Sequence, residues 1–406
     1  MLSSPAVRLP PALGSRDYRN LLFGQVVSAV GTQMQQVAVV WQLYLFTRSP
    51  LALGLLGFFR VAPVIVFALG GGVVADAVDR RRLMLLTQTV LASVSATLAL
   101  ATHLGVARPA LLYGLVAVGA VAVAFDNPAR QALVPLLVPR EHLSGALSLW
   151  FTGWQVAQVA GPALGGALLA WAGVVPVYAL DAVSFGAVIA ALLAMSHRAA
   201  PSRTAVGFGA VKEGIAFLRR THVVRTTMLL DFFATFFGGS MLLMPIFADQ
   251  LLHVGPRGLG VLYAAQPAGA ALAGAVLATR SLPRRQGRAV LWSVAAYGAS
   301  VAVFGVSRSF ALSLLALACA GAADTVSTVV RQTLRQVLTP DALRGRMGSI
   351  NMIFFMGGPQ LGEVEAGVVA RAFTPRISVA SGGLLCMVVA AATAVASPSL
   401  RAFERG

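Results

Sequence analysis

The sequence predicts an all-α polytopic membrane protein, with twelve transmembrane helices in two pseudo-symmetric six-helix lobes. Three observations predict it. Of 406 residues, 57% are hydrophobic and only 11% charged, too few charges to coat a water-facing surface of that size. Apolar windows of about 20 residues, the length that crosses a hydrocarbon core of about 30 Å, recur along nearly the whole chain. Two sequence patterns of the first half return in the second at matching places.

In chain order the windows fall at 20–46, 51–75, 83–103, 110–127, 145–170, 174–195, 223–247, 258–279, 289–306, 310–329, 347–370 and 377–396. The first follows a polar leader with Arg8, Arg16 and Arg19 and is too long for a signal-peptide core, so no cleavage is expected. The loops between spans set the orientation, because short basic loops stay cytoplasmic. With the N-terminus inside, 24 of the 31 Lys and Arg residues fall in inside segments, 6 in outside segments and Arg60 within a span. Both termini are therefore expected in the cytoplasm. The longest hydrophilic stretch, 196–222, separates a first lobe (1–195) from a second (223–406). Within it Phe208, Val211, Ile215 and Leu218 recur at helical spacing opposite Lys212, Glu213, Arg219 and Arg220, the pattern of an amphipathic helix on the inner membrane surface.

The formal net charge of +17 would suggest nucleic acid in a soluble protein. Here the Arg residues sit between apolar stretches, so the lipid bilayer is the expected partner and nucleic acid is not. Cys319 and Cys386 lie inside apolar segments and indicate neither a disulfide framework nor a metal site. The five His residues show no metal-ligand spacing, and no P-loop is present, so ATP hydrolysis and metal chemistry are not expected.

Internal duplication is visible in two places. Arg130-Gln131-Ala132-Leu133 followed by Pro139 matches Arg331-Gln332-Thr333-Leu334 followed by Pro340, 201 residues on, each after the fourth span of its half. Gly161-Pro162 with Gly165-Gly166 matches Gly358-Pro359 with Gly362-Glu363, each in the fifth span. Duplicated halves of this kind place a substrate site near the bilayer midplane between them.

Three stretches carry a family resemblance. They are Gly72 to Arg82, with Asp76 and the run Asp79-Arg80-Arg81-Arg82; Phe125 to Pro135, with Asp126, Asn127, Pro128 and Arg130; and Gly153 with Gly161-Pro162-Ala163-Leu164-Gly165-Gly166. On these residues the chain resembles the major facilitator superfamily over essentially its whole length. The first stretch looks like the superfamily's cytoplasmic loop motif, with Asp79 where the common pattern has Gly and Ala77 where it often has Arg. Asp-Arg-Arg-Arg and the second stretch are similar to the branch that includes bacterial enterobactin (siderophore) exporters. The third resembles the fifth-helix motif of exporters that exchange substrate for protons. Its small residues let backbones approach closely, and its Pro loosens the helix. The fourth span lacks the intramembrane Arg of many proton-coupled drug exporters.

The resemblance implies the major facilitator fold and a secondary active transporter of the bacterial inner membrane. Proton-coupled efflux of a siderophore, antibiotic or drug-like molecule is the implied activity, by a monomer that needs no cofactor beyond the proton gradient. A proton-linked importer on the same fold is the first alternative. A non-transporting sensor, or an intramembrane enzyme with clustered nucleophile and base, is another class; no such cluster is found.

Ionisable and polar residues inside hydrocarbon are costly, which makes the few present informative. Gln25, Ser28, Thr32 and Gln36 share one face of the first span, and Thr227, Asp231, Thr235 and Gly238 one face of the seventh. Aligning Arg19 with Arg225 puts Gln25 opposite Asp231, so the stripes are symmetry mates expected to line the central cavity. Asp231 is the leading candidate for proton coupling, followed by Glu363 and Glu365; a simple pairing of Asp231 with Arg225 or Thr227 is the competing reading. Arg60 lies about 13 Å from the outer end of its span, and Glu363 and Glu365 about 8–11 Å from the outer end of theirs. In the resembled fold these spans face each other, so an ion pair of Arg60 with one Glu would hold the outer side shut, with Asp181 as another possible partner. On the inner side Asp76, Arg80, Arg81, Asp126, Arg130, Asp324 and Arg331 are expected to form a cytoplasmic gate; topology anchoring alone also accounts for the Arg run.

Overall fold

Several helices in this chain begin where a side chain accepts the free amides of the first turn, or where proline has no amide to satisfy. The computed structural model describes residues 10–196, 216–280, 283–340 and 343–404, with the backbone alone for 68–77, 344–346, 348–350 and 352–353. Ser15 caps α1 (Arg16–Thr47) by accepting from Tyr18 N. Pro50 opens α2 (Pro50–Ala77). Asp79 caps α3 (Arg80–His103), accepting from Arg81 N at 2.9 Å and Arg82 N at 3.3 Å. The residue that departs from the common loop pattern is thus the start signal of the next helix. Prolines open α4 (Pro109–Leu133), and α5 (Leu143–Ala172) turns into α6 (Val174–Leu193) at Gly173, whose φ of +80° suits glycine. The second half follows as α7 (His222–Gly238), α8 (Gly255–Thr279), α9 (Gln286–Val306), α10 (Phe310–Leu338), α11 (Arg344–Ala372) and α12 (Pro375–Ala396).

Among the described residues, nine spans are long and apolar enough to cross a membrane by length and composition alone. Helices α1, α5 and α11 are not among the nine; glutamines lower the hydropathy of the first two, Gln25, Gln33, Gln35, Gln36 and Gln42 on α1 and Gln155 and Gln158 on α5. All but Gln155 line the central cavity or hydrogen-bond to a neighbouring helix rather than face lipid. The expected linker helix around Phe208, Val211 and Ile215 lies outside the described residues.

The seventh span is not the single helix expected over 223–247. Helix α7 ends at Gly238, and the chain continues through a 3-10 turn (Met241–Leu243), a short α turn (Met244–Ile246) and a π turn (Phe247–Leu251). Gly238 and Gly239 weaken the helix, and Pro245 removes a donor. Backbone groups freed at membrane depth need partners. Glu363 accepts from Leu242 N at 2.9 Å, and Tyr263 donates to Met241 O at 2.8 Å.

Packing repeats between the halves. Helix α1 packs on α5 and α6, α2 on α4, and α3 on α4 and α6; correspondingly α7 packs on α11 and α12, α8 on α10, and α9 on α10 and α12. Across the seam α5 meets α8 and α2 meets α11, a symmetric pair of crossings. The even number of crossings places the start of α1 and the end of α12 on one face, the terminal face. Toward the opposite face both crossings are glycine on glycine. A Cβ on Gly54 would stand 2.9 Å from Gly367 Cα, and one on Gly166 would stand 2.6 Å from Gly260 Cα. A single buried apolar cluster joins the halves there, with Val37, Trp41 and Tyr44 of α1, Leu53 of α2, and Phe247 and Leu259 of the second half. Near the terminal face the clusters stay within one half, around Tyr18, Met84 and Leu133 in the first and Leu230, Val290 and Leu334 in the second. The halves are sealed at the opposite face and part toward the terminal one.

Candidate functional site

Between the parted halves lies a cavity of about 640 Å³. The stripe read on the first span lines it in full: Gln25, Ser28, Thr32 and Gln36 of α1 all face it. Arg60 of α2, Gln88 and Ser95 of α3, Asp126 and Arg130 of α4, and Trp150, Trp154 and Gln158 of α5 continue the wall. Of the described lining residues, the second half supplies only Met356 and Gln360, both on α11. The matching stripe on α7 does not share this cavity. Thr227 and Asp231 border a separate cleft of about 20 Å³ with Arg331, and the Thr235 hydroxyl donates to Asp231 O at 2.8 Å.

The two repeat arginines differ correspondingly in their partners. Arg130 donates to Gln25 Oε1 at 3.0 Å and to Asn127 Oδ1, lies 3.7 Å from Asp126, and stacks over the Trp150 ring. Its counterpart Arg331 forms an ion pair with Asp231 at 2.6 Å and reaches Asp324 at 3.9 Å and Thr328 at 2.9 Å. Gln25 and Asp231 are thus symmetry mates in contact as well as in position. In the second half the arginine is held by a carboxylate, and the cleft beside the pair is small. Asp126 is held further by Thr87 Oγ1 at 2.8 Å and Gln88 Nε2 at 2.9 Å. All these pairs join helices of the same half, so in this conformation none of them bridges the halves as the expected gate would. Arg81 donates to Leu193 O at the end of α6 at 2.8 Å, again within the first half. The side chain of Asp76 is outside the described residues.

Arg60 forms no ion pair with Glu363 or Glu365. It interacts electrostatically with Glu363 and Tyr263 but makes no hydrogen bond or ion pair among the described residues. Glu363 is committed to the broken seventh span, and Glu365 is half-buried on the other side of α11. Asp181 does not reach Arg60 either; its carboxyl accepts from Ser95 Oγ at 2.6 Å and Thr32 Oγ1 at 3.3 Å. The charged contact that does bridge the halves was not anticipated from sequence. At the opposite face, Arg48 Nη1 lies 2.6 Å from Asp249 Oδ2, and Tyr44 donates to the same oxygen at 2.5 Å. Arg48 and Asp249 are 201 residues apart, and nothing in their local sequence marks them as partners; only the π turn brings Asp249 over the end of α1.

The fifth-helix motif is a packing surface with two sides. A Cβ on Gly153 would strike Val26, one on Gly161 would stand 2.9 Å from Val30 O, and one on Gly165 would stand 2.8 Å from Met34 Cα, all on α1. Pro162 O and Gly166 instead meet Gly260 of α8 across the seam. One run of small residues therefore holds the first half together and sets its crossing with the second.

Comparison with known proteins agrees with this geometry. A family model described as transmembrane secretion effector matches residues 11–405. The enterobactin exporter EntS of Shigella boydii is 26% identical over 391 residues, covering 96% of this chain and 93% of that protein. The enterobactin exporter EntS of Escherichia coli O81 is 25% identical over the same length and coverage. Among solved structures, a bacterial homologue of the human lysosomal transporter Spinster, inward-facing and occupied, superimposes with a TM-score of 0.73 at 16% identity, covering 97% of this chain and 99% of that one. A bacterial homologue of the iron transporter ferroportin in an inward-facing state gives 0.71 at 15% identity, covering 96% and 99%. A chain matched from residue 11 to 405, with two glycine-crossed lobes around one cavity, belongs to the transmembrane secretion effector family of major facilitator transporters.

Proposed function

We propose that this transporter exports a small amphipathic organic molecule bearing an anionic group across a bacterial inner membrane, by alternating access driven by inward proton flow. The observation that carries this reading is Arg60, a guanidinium on the cavity wall with no hydrogen bond or ion pair among the described residues. An ionised side chain at membrane depth costs about 2.5–3.5 kcal/mol on insertion scales, and an anionic ligand group would offset it with charge-assisted hydrogen bonds. Trp150, Trp154, Leu91 and Val94 supply apolar wall, while Gln25 Nε2, Gln88 Oε1 and Gln360 Oε1 are buried amide atoms without a hydrogen-bond partner among the described residues. Such a wall suits a molecule with apolar surface and several polar groups.

The excess of basic residues in the terminal-face segments supports a cytoplasmic terminal face, so that the cavity loads from the cytoplasm. Relatives named as enterobactin exporters support outward movement and make siderophores the first cargo class to assay. The cavity is complete within one chain, which favours a monomer as the working unit. Proton drive is the part supported by buried carboxyls. Of the candidates Asp231, Glu363 and Glu365, the first is held by Arg331 and the second by a backbone amide, which leaves Glu365 without a cation among the described residues; Asp181, first considered as a partner for Arg60, has none there either.

Secretion profiling of a deletion strain tests the proposal. Anionic metabolites are expected to accumulate inside the deletion strain, to leave again when the wild-type chain is restored, and to stay trapped with Arg60→Gln. Equal secretion by wild type and Arg60→Gln would remove the anionic cargo, and no change on deletion would remove export itself.

A further inference from the structure

Asp181 lies midway along α6 with no exposed surface. Its Oδ2 accepts from Ser95 of α3 and its Oδ1 from Thr32 of α1, and both of these residues stand on the cavity wall. Room for the carboxyl depends on Gly31, because a Cβ there would lie 2.9 Å from Asp181 Oδ1 and would strike the Ser184 hydroxyl.

The charges around it are remote. Helix α6 packs on α1 and α3 and lightly on α5, and α5 carries no titratable residue. On α1 the titratable groups are Arg16, Asp17, Tyr18 and Arg19 at one end and Tyr44 at the other. On α3 they are Arg80, Arg81, Arg82 and His103, all at helix ends. Tyr178, on α6 itself, donates to Gln42 Oε1 at 2.8 Å. None of these groups, and not Arg60, interacts electrostatically with Asp181. A carboxylate so placed has hydroxyl donors only, and burial without a counter-charge favours its neutral form.

Its hydrogen bonds are compatible with either form. Ser95 Oγ receives Gln35 Nε2 at 2.7 Å and has two acceptors in reach, Asp181 Oδ2 at 2.6 Å and Leu91 O at 3.1 Å. With the carboxylate ionised, Ser95 gives its proton to Oδ2. With the carboxyl protonated, Oδ2–H donates to Ser95 Oγ, and the serine proton turns to Leu91 O. Each polar atom keeps a partner in both states, so a proton can be taken up without moving a helix.

We infer that Asp181 is a proton-binding site of this transporter, loaded from the cavity through the Ser95 and Thr32 hydroxyls; the inference rests on the proton-driven reading above. On loading, Ser95 passes its hydroxyl proton to Oδ2 and takes a replacement from a hydronium ion in the cavity, which is left as water. On release the same transfer runs backward, so the only net change is the charge on Asp181. The site lies in the half that holds the cavity wall, and its hydroxyl relay shares Thr32 with the substrate stripe.

Difference infrared spectroscopy of the purified full-length protein, titrated from acid to alkaline pH, reads the carboxylic-acid C=O stretch directly, with the proton as the probe. A titrating band in wild type that disappears in Asp181→Asn is expected, with the band shifted in frequency but retained in Ser95→Ala. Asp181→Asn preserves shape and hydrogen bonding, and Ser95→Ala tests the relay in a chain that keeps the carboxyl. Absence of the band from wild type, or its persistence in Asp181→Asn, overturns the assignment. An unshifted band in Ser95→Ala overturns the route through Ser95. If the band is lost in Asp181→Asn but a proton gradient drives no flux in wild-type proteoliposomes, the proton-driven reading falls while the binding site stands.

Discussion

Gln25 and Asp231 occupy equivalent positions and take equivalent partners, yet one contact is neutral and the other ionic. Removing one member of a buried ion pair strands the other charge and costs about 3–5 kcal/mol, whereas a neutral hydrogen bond contributes about 0.5–1.5 kcal/mol. Asp231→Ala is therefore expected to lower the melting temperature in detergent by several times more than Gln25→Ala, and equal shifts would contradict the pairing. At Arg60 the loss of a charge-assisted bond of about 1.5–3 kcal/mol weakens cargo binding roughly 10- to 100-fold in Arg60→Gln, read by titration calorimetry with a secreted anionic compound. The Gln25 and Asp231 correspondence was legible in the sequence because helical periodicity fixes the faces and the alignment of Arg19 with Arg225 fixes the offset. The commitment of Glu363 to Leu242 N was not, because that amide is free only where α7 breaks.

The helices meet across the seam at two points that have no room for a side chain. Overpacking of this kind costs about 1–3 kcal/mol, and at the seam it penalises only the conformation in which the opposite face is shut. Gly260→Val is expected to shift the population toward an opened opposite face. Spin labels on the end of α1 and the start of α8 at that face would then show longer distances by double electron–electron resonance; unchanged distances would count against the crossings as seals. Window hydropathy placed twelve elements along the chain but could not resolve the 3-10 and π turns after Gly238, because a summed apolar score is blind to the hydrogen-bond register. The fifth-helix glycines were recognisable as a packing run, but which of them faces α1 and which α8 depends on the helix crossing itself.

The two lobes join at one face through an apolar cluster and, among the described residues, a single charged bridge. Arg48 is 54% exposed in its side chain, so its pair with Asp249 is worth only about 0–1 kcal/mol and the cluster carries the seal. Arg48→Ala is accordingly expected to change opposite-face accessibility far less than Gly260→Val, measured with a membrane-impermeant thiol reagent on a cysteine introduced at Gln250 after Cys319 and Cys386 are replaced. Composition and hydrophobic length made the whole-molecule class legible, since lipid admits so long an apolar chain only as helices or closed barrels. The conformation and the unequal shares of the two lobes in the cavity were not legible, because they follow from how the helices pack in three dimensions and not from any local pattern. That inequality bears on how the family diversifies. With nearly the whole described wall drawn from one lobe, recombinants that splice the front portion of one relative to the rear portion of another are expected to inherit their cargo range from the front parent, while the rear parent tunes how fast the doorway swings.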